Sequence, residues 1–349
     1  MAEAKIVILG TGGTIAGQAS SQGEGVGYKA AQISIEGLLQ AIPDLQAQAG
    51  GCVLEAAQLA QIDSKDMDWA VWRTLLRSLA ELLADACTRA VVVTHGTDTL
   101  EETAWLLQAV LQPAKPVVLT CAMRPATALQ ADGPQNLRDA VAAAAQAGGA
   151  GIAGAGVWVM AAGALHPGLS VQKAHPYRLD ALRSYESGPS AYMEEGVLRW
   201  VGRPAGTGSA ESADKRLAQW LSRDALPWVE IVTSGAAQSA RAVQALVAAG
   251  VQGLVVAGTG NATVHAQMLD ALLEARKAGV RVWCSTRCPE GVPVLPASAA
   301  STGCEHWLDG WLVPAEAQAE AVGEALAVIK LPPAKARLAM MLDLALPPA

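Results

Sequence analysis

Val91-Val92-Val93-Thr94-His95-Gly96-Thr97-Asp98-Thr99-Leu100-Glu101-Glu102-Thr103-Ala104-Trp105 is the stretch whose reading decides the fold. Three consecutive valines with no polar alternation are what a strand needs when both its faces are covered, so this strand is central in a largely parallel sheet. The chain then turns into a helix. Its start is marked by Thr99 and Glu102, spaced as a capping box, and by Ala104, Leu106, Leu107, Val110 and Leu111 at helical intervals. The polar cluster Thr94 to Asp98 therefore lies between a strand end and a helix start. Open α/β sheets hold their ligands there, and the helix end offers unpaired amides to a carboxylate or an oxyanion.

A second stretch is built the same way. Lys5 to Leu9 read as a buried strand, and Gly10-Thr11-Gly12-Gly13-Thr14-Ile15-Ala16-Gly17 follows, with glycines that let backbone approach a ligand closely. A dinucleotide-binding turn does not fit this stretch: the glycine spacing is wrong, and no strand-ending acid follows about twenty residues later. Taken together, TGGTIAG and HGTDTLEETA resemble the motifs of the bacterial-type L-asparaginases and glutaminase-asparaginases. The resemblance continues through Asp63-Ser64-Lys65-Asp66-Met67, Ala122-Met123-Arg124-Pro125, Asp132-Gly133-Pro134-Gln135-Asn136-Leu137 and Lys335-Ala336-Arg337, and so covers nearly the whole chain.

Composition narrows the class independently. At 349 residues, 52% hydrophobic and 16% charged, the chain has ample core for two domains, while its apolar runs fall short of the roughly 20 residues a membrane helix needs. A net charge of -7 and the absence of a basic run argue against nucleic acid or an anionic membrane surface as partner and favour a small-molecule substrate. Ten Trp and no Phe leave Trp and Leu to fill the large core positions. Residues 1 to 10 pass directly into a core strand with no secretory signal, so the expected location is the cytoplasm. Six cysteines in a chain of this size do not make a disulfide scaffold. A zinc cluster from Cys284, Cys288, Cys304 and His306 is disfavoured because Cys284 lies in a strand and Cys-x-His is a poor knuckle. No metal or cofactor is expected.

Periodicity predicts helices near 34–42 and 69–84, strands at 52–54, 117–119 and 157–160, and a further helix opened by Asp132 and Pro134. Ser64, by spacing alone, is a helix cap. Residues 18–27 read as a mobile loop closed by Tyr28. The turn-rich run beginning at Arg203 reads as an interdomain linker, giving an N-terminal α/β domain at 1–204, a linker at 205–224 and a smaller C-terminal domain at 225–349. Strands near 229–232, 254–256 and 280–284, with helices near 240–249 and 265–278, make that second domain a parallel α/β sheet. The resemblance implies that the larger N-terminal domain is a mixed sheet flanked by helices.

The resemblance also implies roles. Thr14 is the nucleophile, activated by Tyr28 on the lid, while Thr97, Asp98 and Lys173 form a second catalytic group. Ser64 binds the substrate α-carboxylate, Asp98 its α-ammonium, and the Ala122 carbonyl its side-chain amide. Lys65 stands beside Ser64 where the family more usually has a neutral residue, and its ammonium either strengthens carboxylate binding or disfavours the α-ammonium. Asn261, in Gly258-Thr259-Gly260-Asn261, matches a loop that in the family completes a neighbouring subunit's site, which implies a homodimer or homotetramer. Thr263 replaces a second Asn of that loop, and the family's inter-subunit acid has no clear match between Arg287 and Cys304. His95 and His166 read as structural. The function implied is hydrolysis of L-asparagine to L-aspartate and ammonia through a threonine acyl-enzyme, with weaker action on L-glutamine. The alternative is an amino-acid sensor on the same fold, which would need Ser64 and Asp98 but neither Thr14 nor Lys173.

Overall fold

The computed structural model describes residues 3–19, 27–149, 154–202, 210–294, 307–313 and 326–346, which divide between two compact units, Met1–Asp224 and Ala225–Ala349. The first unit runs β1 (Lys5–Gly12), α1 (Ile35–Gln40), β2 (Val53–Ile62), α2 (Trp69–Ala84), β3 (Thr88–Thr94), α3 (Leu100–Leu111), β4 (Pro116–Thr120), α4 (Gly133–Gly149) and β5 (Gly156–Ala161). Five short strands follow: β6 (Ala164–Pro167), β7 (Gln172–Lys173), β8 (Leu182–Arg183), β9 (Ala191–Glu194) and β10 (Val197–Trp200); α5 (Ala210–Leu221) closes the unit.

Eight of these strands form one sheet in the order β10-β9-β6-β5-β4-β3-β1-β2. The β2, β1, β3, β4 and β5 strands are parallel, and β6, β9 and β10 add to the β5 side antiparallel, so the sheet is mixed. Val91, Val92 and Val93 are fully buried in β3, between β1 and β4, as their unbroken apolar run requires. Trp105 fills a fully buried position on α3, in keeping with a chain that has no Phe.

Two expectations change here. The strand expected at 52–54 runs on to Ile62; it is the edge strand, and the exposure of Glu55, Ala57 and Gln58 leaves it without an apolar signature. More than half of the expected 205–224 linker is helix: α5 packs against α2 and α3 and buries Trp220 completely, so the first unit extends to Asp224. The small and polar residues at 203–209, which suggested the linker, lie outside the described residues.

The second unit runs β11 (Val229–Thr233), α6 (Arg241–Ala248), β12 (Gly253–Gly258), α7 (Ala266–Lys277), β13 (Arg281–Thr286), β14 (Leu312–Val313), β15 (Ala327–Ile329) and α8 (Pro333–Ala345). Its sheet order is β11-β12-β13-β15-β14. The β11, β12, β13 and β15 strands are parallel as expected, whereas β14 lies antiparallel on the edge, a common finish to an otherwise parallel sheet. Among the described residues no helix is long and apolar enough to cross a membrane.

Candidate active site

Because β1 and β3 are parallel neighbours, with Gly10 opposite Thr94, the two glycine- and threonine-rich loops leave the sheet side by side. The buried Thr11 hydroxyl ties them by donating to the Thr94 carbonyl at 2.8 Å. Their closest approach has room only for glycine. A Cβ on Gly13, whose φ is +81°, would sit 2.3 Å from the Gly96 Cα, and one on Gly96 would sit 2.4 Å from the Ser64 hydroxyl. Thr14 and Thr97, each next to one of these glycines, are thereby brought into one site with Ser64 at the end of β2.

The third loop is held by contacts that displace two expected caps. Ser64 does not cap α2; Asp68 does, its carboxylate accepting from the Val71 amide at 2.9 Å. The Ser64 hydroxyl instead accepts from the Asp98 amide at 3.2 Å. Nor does Thr99 cap α3 with its side chain: its hydroxyl donates to the Ser64 carbonyl at 2.8 Å. Helix α3 still begins at Leu100, because the Glu102 and Thr103 amides donate to the Thr99 carbonyl. Both side chains that could have capped helices thus join the 63–67 loop to the 96–99 turn.

Two threonine centres result. The Thr14 hydroxyl shares a 2.6 Å hydrogen bond with the Tyr28 phenol, and Thr14 opens a short 3₁₀ turn at Thr14–Ala16. The segment between, residues 20–26 of the expected lid, lies outside the described residues, but the Gln18 and Lys29 backbones flanking it pair with each other. At the second centre the Lys173 ammonium donates to Thr97 Oγ1 at 2.8 Å and to Asp98 Oδ1 at 2.5 Å. Lys173 is the more sheltered member of this ion pair, its side chain 18% exposed against 51% for Asp98. Its backbone amide donates to Glu101 Oε2 at 2.6 Å.

The 121–124 loop, which carries Ala122, is braced by groups that spacing did not single out for this. The Asp132 carboxylate, expected to cap α4, accepts from the amides of Met123 and Arg124 at 2.9 Å each, and Asn136 donates to the Cys121 carbonyl at 2.9 Å. Ala122 itself is fully buried. Lys65 lies beside Ser64, but its ammonium is bound to Asp63 at 2.8 Å and Asp66 at 3.0 Å. These bonds, Asp63 first, hold its protonation well above the usual lysine range.

Two family models cover the chain: "Asparaginase, N-terminal" over residues 5–205 and "Glutaminase/Asparaginase C-terminal domain" over residues 228–347. The chain belongs to the L-asparaginase and glutaminase-asparaginase family. The glutaminase-asparaginase of Pseudomonas fluorescens biotype A is 37% identical over 293 residues, 84% of this chain and 78% of that protein. L-asparaginase 2 of Escherichia coli (strain K12) is 34% identical over 315 residues, 90% of this chain and 86% of that one. The crystal structure of a probable cytoplasmic L-asparaginase from Campylobacter jejuni superposes with a TM-score of 0.81 at 33% identity, covering 98% of this chain and 95% of that one.

In this asparaginase-family chain the second unit's Asn261 is committed to a neighbouring loop of the same unit. Its side-chain amide donates to the Val294 carbonyl and accepts from the Val294 amide, both at 2.7 Å, as a strand neighbour would. Thr263, the residue in place of a second Asn, closes the same turn by hydrogen bonding to Thr259 through backbone and hydroxyl. Cys304 and His306 of the disfavoured zinc reading lie outside the described residues.

Behind the second threonine centre, His95 is fully buried and lies within a chain of hydrogen bonds. Trp72 Nε1 donates to Thr103 Oγ1 at 2.8 Å, Thr103 Oγ1 lies 3.0 Å from His95 Nε2, and His95 Nδ1 lies 2.7 Å from the Gly96 carbonyl. A carbonyl only accepts, so Nδ1 carries the proton, and the Thr103 hydroxyl donates to Nε2. Burial opposes a charged ring and, partly offset by the Gly96 bond, pushes the imidazole down to about 4. The ring is thus neutral when folded, while the unfolded chain binds a proton near the ordinary value of about 6.5. Between these limits the unfolded state holds more protons, so this contribution is complete above about pH 6.5 and lost as pH falls towards about 4, roughly 3 kcal/mol in all. Urea unfolding at pH 7, 5 and 4 is expected to show His95→Gln losing less stability on acidification than the wild type. Parallel losses in the two proteins would contradict the buried neutral assignment.

Proposed function

We propose that the chain is an L-asparaginase that releases ammonia from L-asparagine through an acyl-enzyme on Thr14, with weaker action on L-glutamine, as a homodimer or homotetramer. The observation that carries this reading is the pairing of each threonine with its own proton partner, Thr14 with Tyr28 and Thr97 with Lys173 and Asp98, on loops that touch glycine to glycine. Amide hydrolysis needs a nucleophile that can lose a proton and a second group that readies water, and a sensor needs neither.

On this reading Ser64 receives the substrate α-carboxylate and Asp98 its α-ammonium, which brings the side-chain amide towards Thr14 and the Ala122 carbonyl. Thr14 Oγ attacks the amide carbon as its proton passes to the Tyr28 oxygen, and the phenol's own proton is handed on to the leaving nitrogen. Collapse of the tetrahedral adduct breaks the C–N bond, and the leaving nitrogen takes that proton and departs as ammonia. Water oriented by Thr97 then attacks the aspartyl ester and gives its proton to the Lys173 amine, whose own proton has passed to Asp98 within the pair; the ester C–O bond breaks, the pair returns a proton to the departing Thr14 oxygen, and L-aspartate is freed. Lys65, neutralised by Asp63 and Asp66, leaves the α-ammonium to Asp98.

An ammonia-release assay on the purified protein tests this. Release from L-asparagine with a higher kcat/KM than from L-glutamine is the expected result. Tight binding of asparagine without release would favour the sensor, and a preference for glutamine would reverse the substrate assignment.

A further inference from the structure

The geometry points to Glu101 as a positioning residue for Lys173. This rests on the reading of Lys173 as a proton-transfer group. Lys173 does not lie in the eight-stranded sheet: β7 is two residues long and pairs with β8, also two residues, in a separate ribbon. A ribbon of that length has little stability of its own, and its buried side chains are those of Val171, Ala181 and Leu182 rather than of Lys173 itself. The tie comes from α3. Glu101, in its first turn, accepts the Lys173 amide at 2.6 Å, and a bond from a backbone N–H to a carboxylate is among the stronger hydrogen bonds available.

The arrangement is a clamp with both jaws on one rigid element. Thr97 and Asp98, in the turn that leads into α3, hold the ammonium, while Glu101 holds the backbone of the same residue. With both ends of Lys173 referred to the start of α3, the reach of Nζ to Thr97 is set by one helix. The ribbon, packed through Val171, Ala181 and Leu182, carries the chain there, and the Glu101 bond ties the lysine's own backbone to α3. Without the Glu101 tie, the ion pair with Asp98 would remain as an attraction but would no longer define where along its arc Nζ sits, and displacements of about 1 Å in a catalytic group can cost about 10²-fold in rate.

The test is a mutant cycle on the intact enzyme with L-asparagine. Glu101→Leu is expected to lower kcat about 10- to 100-fold with KM changed less than about twofold. Glu101→Gln keeps an oxygen acceptor for the amide and is expected to stay within about fivefold of wild type. Glu101→Ala carries the same expectation as the leucine variant and serves if that one does not fold. The readout a merely structural role would not give is non-additivity: placed on Lys173→Met, Glu101→Leu should cost less than about twofold more, since it has no lysine left to position. Near-normal kcat in Glu101→Leu, with Lys173→Met inactive, overturns the role of Glu101 alone. Full additivity in the double variant does the same, because Glu101 would then act elsewhere. Near-normal turnover in Lys173→Met overturns the reading beneath it.

Discussion

Replacing Thr14 by alanine is expected to lower asparagine turnover by at least about 10³-fold, more than any other single change in this chain, because losing a nucleophile leaves only binding and electrostatic stabilisation. Both threonines stand at strand ends, so position does not separate them. Their partners do. Thr14 bonds to a phenol, which can take its proton once it passes its own on, and later return one. The Thr97 hydroxyl accepts from an ammonium, which orients it without removing a proton from it, and its turn is pinned by Ser64 and the Gly13–Gly96 contact. Thr14→Ala should therefore form no covalent intermediate at all, whereas Thr97→Ala should form one slowly and hydrolyse it slowly. Thr14 is a small side chain at the start of a short turn, so an unchanged unfolding midpoint is expected and would separate lost chemistry from lost structure. Burst-phase ammonia release measures the difference; a burst surviving in Thr14→Ala would count against the assignment.

Lys173→Met is the second large effect. General acid–base groups contribute about 10² to 10⁴-fold, and kcat is expected to fall within that range while KM for asparagine changes little. Methionine matches the lysine stem, so the part of the side chain that is sheltered keeps its packing and only the charged tip is lost. Asp98 then loses its ion-pair partner but keeps the backbone bond from its amide to Ser64, which is why substrate binding should survive. Steady-state kinetics with both substrates check this, and turnover within a few-fold of wild type would rule out Lys173 as the proton-transfer group.

What could be read from the sequence follows from where each residue's surroundings come from. Val91 to Val93 and Leu254 to Val256 are buried on both faces, so their environment is written in their own composition, and both strands fall where expected. Helix α2 spans 69–84 as read, because five of its apolar side chains are buried on one stripe. Edge strand β2 was legible only at its start, since the exposed Glu55-Ala56-Ala57-Gln58 stretch takes its strand geometry from β1 rather than from any pattern of its own. The two- to four-residue strands β6 to β10 are too short for a period to show. At the site, the glycine and threonine loops stood out because their chemistry is local. Lys173, 76 positions along the chain from Thr97, would by spacing alone have read as an ordinary surface lysine, and only its match to the family motif singled it out. Glu101 gave no signal, since an acid in the first turn of a helix is already explained by the helix dipole, and its bond to the Lys173 amide exists only once β7 has folded back onto α3.

The most direct test of the central claim is to quench wild-type protein in acid during turnover of L-asparagine, digest it, and locate the aspartyl ester by mass spectrometry. The account requires the added mass on the peptide containing Thr14, and its absence from every peptide of Thr14→Ala treated in the same way. An adduct on the peptide containing Thr97 that persists in Thr14→Ala would contradict it and exchange the roles of the two threonines.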